Sequence, residues 1–83
     1  MTTSLPALGP EVGPLGSATL GDGQVVYATE YRTAARESGR RIVLRDNDGA
    51  VVWDSDECYD RANALDKMFN WLAANTGAER WDG

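Results

Sequence analysis

Six carboxylates, Asp46, Asp48, Asp54, Asp56, Glu57 and Asp60, follow one another with no basic residue among them. Just before them Arg32, Arg36, Arg40, Arg41 and Arg45 stand against Glu37 alone. Charge segregated in this way makes the molecule dipolar and points to recognition. The acidic group could imitate a row of phosphates and occupy a basic groove on a protein target, as DNA-mimic inhibitors including several anti-CRISPR proteins do. The arginines, with Tyr27 and Tyr31, suggest the converse: phosphate contacts with aromatic stacking on RNA or single-stranded DNA. Both readings compete with ordinary chemistry. Turns and helix caps account for Asp48, Asp56 and Asp60, and cross-strand pairing accounts for the arginines.

Catalytic sets are harder to assemble. The chain has no histidine, which removes the Ser-His and Cys-His nucleophile pairs, the imidazole base and His-ligated zinc. Cys58 is the single cysteine and has no lysine or histidine beside it in sequence, so it reads as a small packing residue. Asp46-Asn47-Asp48-Gly49 lacks the ligand spacing of an EF-hand, and helix capping accounts for Asp54, Asp56 and Glu57 without a divalent ion. No glycine motif for phosphate binding occurs. The expectation is a non-enzymatic protein with no catalytic residues, no metal and no cofactor.

The formal charge of −5 disfavours nucleic-acid backbones and anionic membranes and favours a protein partner with a basic surface. One cysteine forms no internal disulfide, and no apolar run approaches the length of a membrane span, so a cytoplasmic location is expected.

Residues 1–23 hold all three prolines and five of the nine glycines, a density that opposes helix and long strand alike; they read as a flexible arm. Residues 24–83 then form one small domain. Val25 to Tyr31 is β-branched and aromatic and predicts a strand; Glu37-Ser38-Gly39 turns the chain; Arg40 to Arg45 predicts a second strand. Asn47-Asp48-Gly49 supplies a tight turn, and Ala50 to Asp54 a third strand. Leu65, Met68, Phe69 and Leu72 then follow helical spacing, with Asp56, Glu57 and Asp60 at the helix start and Asn75-Thr76-Gly77 as its stop. The predicted fold class is α+β: a three-stranded antiparallel β-meander followed by one α-helix packed on one face, in the order β-β-β-α.

Strict alternation has a consequence in so short a chain. If Ile42, Leu44 and Val52 face the helix, then Val43, Val51 and Trp53 face the other way, where no second layer covers them. Three such side chains gain several kcal/mol on burial at roughly 25 cal/mol per Å². A homodimer seam or a foreign protein would supply the cover, and so would the arm. Trp71, about 110° round the helix from the centre of its apolar stripe, is expected to be half-buried and joins Trp53 as a candidate partner contact.

Arg41, Leu44-Arg45-Asp46, Asp48-Gly49, Val51-Val52, Ser55-Asp56-Glu57-Cys58-Tyr59, Ala64-Leu65, Met68, Leu72 and Asn75 lie in residues 40–78, which resemble one repeat of the YegP-like family. The resemblance implies a ββα-type unit that pairs with a second unit, and it brings no known active site. Trp53 stands where that family tends to carry a small residue, and this chain has one repeat rather than the usual pair. The leading functional expectation is an acidic protein-binding module, an inhibitor from a phage or mobile element that blocks a nucleic-acid-handling protein. The alternatives are a YegP-like homodimeric housekeeping protein, and binding of RNA or single-stranded DNA through the arginine hairpin.

Overall fold

A computed structural model describes residues 8–34, 36–75 and 80–82. Among these residues, five strands and one helix follow in the order β1 (Glu11–Thr19), β2 (Val25–Arg32), β3 (Arg40–Arg45), β4 (Val51–Asp54), α1 (Arg61–Asn75) and β5 (Arg80–Asp82). They form one sheet with strand order β4-β3-β2-β1-β5, antiparallel at every pairing. The α+β class and the single helix agree with the sequence; the strand number does not.

Three strands become five because the tail after the helix adds β5 and the segment expected to be an arm contains β1. Its glycines make this possible. Gly13 and Gly16 both take φ 152°, a region that side-chain-bearing residues rarely adopt, and each sits at a register shift against β2. Pro14 lies between these irregularities, beyond the stretch Ser17–Thr19 where β5 pairs, so its missing N–H is not needed by a neighbour on that side. Glycine density here marks bulges in a strand rather than its absence.

The two inner turns form where expected. At Asp46–Ala50 the Asp46 carboxylate accepts from the amides of Asp48 (2.9 Å) and Ala50 (3.0 Å), and Gly49 takes φ 85°. Between β2 and β3 the Gly39 amide donates to the Arg36 carbonyl at 3.0 Å.

Ala18 and Leu20, Val26 and Ala28 of β2, and Ile42 and Leu44 of β3 bury one sheet face against Ala64, Met68 and Leu72 of α1, with Cys58 beside them. The helical stripe is therefore centred on Ala64-Met68-Leu72 rather than on Leu65 and Phe69. Phe69 remains 40% exposed and meets Trp81 of β5 edge to face, the centroids 5.2 Å apart. Only Asp60 of the three proposed acidic caps reaches the helix, accepting from the Asn63 amide at 2.9 Å. Asp56 and Glu57 belong to the turn before it. The helix ends at Asn75, and Thr76-Gly77 of the proposed stop lie outside the described residues.

The expected greasy far face is corrected by two features. The β3–β4 register pairs Leu44 with Trp53 but Arg45 with Val51, so Val52 is an extra residue that breaks strict alternation. Val52 and Trp53 consequently both pack against the helix-side core. On the far side, Val43 is 0% exposed. Arg45 donates from Nη1 to the Tyr31 hydroxyl at 2.8 Å, although Tyr31 is paired with Arg41, four residues along β3. That is a separation of about 13 Å at strand rise, which the two side chains bridge only by lying flat over position 43. Of Val43, Val51 and Trp53, only Val51 keeps substantial exposure, at 40%.

Candidate functional site

The segment from Asp54 to Tyr59 joins β4 to α1 and is held by a chain of polar contacts. Its base is Arg41. The guanidinium forms a two-pronged pair with Asp54, Nε to Oδ1 at 2.8 Å and Nη2 to Oδ2. The hydrogen bonds from Arg41 hold the Asp54 carboxyl below the usual carboxylate range against the opposing effect of burial, and the same pair raises Arg41. Asp54 Oδ1 also accepts from the Asp56 amide at 2.8 Å.

Ser55 fixes the next step. Its buried hydroxyl accepts from the Ile42 amide at 2.9 Å and donates to the Asp56 carbonyl at 2.7 Å, so β3 continues its ladder onto a side chain. Among the described residues, Asp56 alone of the non-glycines has positive φ, 63°. Aspartate tolerates this region better than most side chains, and the Asp56 carboxylate accepts from the Glu57 amide at 3.1 Å. Cys58 and Arg40 then exchange both backbone bonds, at 2.8 and 3.1 Å. The outcome is a turn held by hydrogen bonds from Asp54 to Cys58, whose Asp56 and Glu57 side chains are exposed.

Two depressions flank it. A groove of about 410 Å³ runs between Gly9, Arg32 and Thr33 on one side and Arg41, Asp56 and Glu57 on the other. A shallower one of about 300 Å³ is lined by Arg36, Glu57, Cys58 and Tyr59. The Arg36 guanidinium lies 4.3 Å from the centre of the Tyr59 ring, and Ser38 donates to the Tyr59 carbonyl at 3.1 Å. Tyr59 is 62% exposed all the same.

The structure does not bring all of the sequence-selected residues together. Asp54, Asp56 and Glu57 share this turn, while Asp60 caps α1 beside it. Asp46 and Asp48 sit in the β3–β4 turn at the other end of β4, a strand about 13 Å long. Trp53 and Trp71 stack on each other on the helix side, half-buried, with centroids 5.8 Å apart. The arginine hairpin is largely committed: Arg41 to Asp54, and Arg40 Nε to Glu30 at 3.0 Å. Glu30, 1% exposed, also accepts from Arg61 Nε at 2.9 Å, tying the first turn of α1 to β2 and raising Arg61.

Sequence reasoning missed the Glu30 junction and the Arg36–Tyr59 stack. The period-2 pattern did carry one signal, since Glu30 is in phase with Val26 and Ala28 and so must face the core. Among the described residues no three of His, Cys, Asp and Glu gather closely enough to hold a metal, and no helix is long and apolar enough to cross a membrane. No family model, curated protein or solved structure matches this chain.

Proposed function

We propose that this chain is a non-enzymatic protein-binding module whose contact surface is the Asp54–Tyr59 turn, and that its partner offers a basic surface there. One observation carries the reading: two exposed carboxylates, Asp56 and Glu57, stand on a turn already fixed by Ser55, Asp54 and a positive φ, next to a largely exposed tyrosine. A loop ordered before binding loses little conformational entropy on contact, and Tyr is among the residues that dominate interface energies. The break between this turn and Asp48 favours a compact acidic patch over a continuous imitation of a phosphate row.

The test is capture by the full-length chain immobilised from its native host extract, compared with Asp56→Asn/Glu57→Gln, which keeps shape and turn preference but removes both charges. Basic proteins retained by the wild type at low salt should be lost from the neutral variant and retained by Asp48→Asn. Equal capture by all three chains ends the proposal.

A further inference from the structure

The two sides of the sheet end differently. On the β1 side, Pro14 and the kinks at Gly13 and Gly16 interrupt the open rim, as in edges that avoid partners. On the β4 side, Val51-Val52-Trp53-Asp54 holds no proline or glycine and consists mostly of residues that favour strands. Among the described residues no strand pairs with β4 on its outer side. The register shows which groups face out there. The Ser55 amide donates to the Ile42 carbonyl at 2.9 Å, and Trp53 pairs with Leu44 two residues along, so Ser55 and Trp53 turn their backbone polar groups toward β3. Asp54 lies between them, opposite Val43, and turns its N–H and C=O to the open side. Side chains flank this edge on both faces of the sheet: the half-buried stack of Trp53 and Trp71 on the helix side, and Val51, 40% exposed, on the other.

We infer that the β4 edge receives an extended segment of a partner protein, which adds to the sheet as a further strand and carries basic residues at its ends. Charge selects this occupant. Exposed carboxylates stand in the turns at both ends of the edge, Asp48 before β4 and Asp56 with Glu57 after it, and none of them is in an ion pair among the described residues. Two β4 edges meeting antiparallel about a two-fold axis would set the Asp48 end of each against the Asp56-Glu57 end of the other. Like charges would then face each other at both ends, which disfavours a second copy of this chain. The same carboxylates repel nucleic acid. β4 has four residues, and Val52 is extra to its ladder, so an added strand gains only a few backbone hydrogen bonds. Attraction to the acidic ends therefore decides which segment stays bound. The inference rests on the contact proposed for Asp56 and Glu57 at one end of that segment; the strand pairing is argued from the β4 register alone.

The probe is a synthetic peptide with two lysines at each end of an alternating valine and threonine centre. A second version carries N-methyl groups throughout that centre, which keep its charge and remove its backbone donors. Residue-resolved amide exchange on the full chain reads the result. The first peptide should slow exchange of the outward Asp54 amide at least about tenfold at saturation and leave the Trp53 amide, which faces β3, little changed. The N-methylated peptide should give no protection, and Asp56→Asn/Glu57→Gln should weaken binding of the first peptide on the order of tenfold. No protection of Asp54 at millimolar peptide, or equal protection by both peptides, overturns strand addition. Asp54 protection that appears without peptide as the chain self-associates makes a second copy the occupant and overturns it as well. Protection that is lost on N-methylation yet indifferent to Asp56→Asn/Glu57→Gln sustains the added strand and refutes the contact proposed for the turn, so the two failures are told apart.

Discussion

Trp53 of β4 and Trp71 of α1 stack with ring centroids 5.8 Å apart and planes 26° from parallel. The contact fastens the helix to β4, which among the described residues is an edge strand paired with β3. Replacing either tryptophan by alanine should destabilise the fold by about 3 kcal/mol, and a double-mutant cycle should leave about 1 kcal/mol of coupling beyond lost burial. Denaturant titration followed by tryptophan fluorescence measures both; additive single effects would show that the stack contributes burial alone.

Asp54 gives acid stability a specific source. Its carboxyl is held below the ordinary value chiefly by Arg41, so its contribution is complete above the unfolded value near 3.9 and is lost as pH falls through the lower, folded value. Asp54→Asn should cost about 2–3 kcal/mol at pH 7 and flatten the stability profile across that acid window. An unchanged slope below pH 4 in the variant would assign acid sensitivity to other carboxylates.

Glu30 and its two arginines should respond unequally. Glu30→Gln leaves Arg40, whose side chain is 17% exposed, without its charge partner, and a loss of about 2 kcal/mol is expected. Arg61 is 55% exposed in its side chain, where solvent screens the pair, and Arg61→Ala should cost less than Glu30→Gln. Thermal unfolding of both variants at equal ionic strength distinguishes them, and a larger cost for Arg61→Ala would reverse this ranking.

Cys58 is buried at 3% exposure under the turn. A thiol so placed reacts with a disulfide reagent only when the structure opens, so labelling of the native chain should be at least about 100-fold slower than in denaturant. Ser55→Ala, which leaves the Ile42 amide without its acceptor, should lower stability by about 1–3 kcal/mol and speed that labelling in step. Labelling at the unfolded rate in native buffer would place the thiol at the surface.

The central hairpins were legible because their signals are local. Asn47-Asp48-Gly49 sets a turn by its own backbone preferences, and the β-branched run before it sets strands on either side. β1 was hidden because its glycines and proline are read as punctuation. Only a partner strand shows that they serve bulges, and pairing with Val25–Tyr31 is a non-local fact. The far face was misjudged for a similar reason. Alternation assumes a regular ladder, whereas the extra Val52 moved Trp53 to the core, and Arg45 with Tyr31 covered Val43 from within the chain. At the site, the acidic residues were visible as a composition, but which of them were occupied by amides, Arg41 and a helix end depended on turn geometry that spacing does not encode.

The pairing of Ser17 with Asp82 joins the first strand to the last. A nascent chain emerging from the ribosome can fold its hairpins early, yet β1 waits with its outer rim open until the final strand arrives, a non-local closure that slows completion. The rim from Glu11 to Gly16 lies outside that pairing even in the finished fold, and there Pro14 and the kinks at Gly13 and Gly16 make it a poor template for a neighbouring chain. The residues that disguise β1 in the sequence thus work against edge-to-edge pairing between molecules.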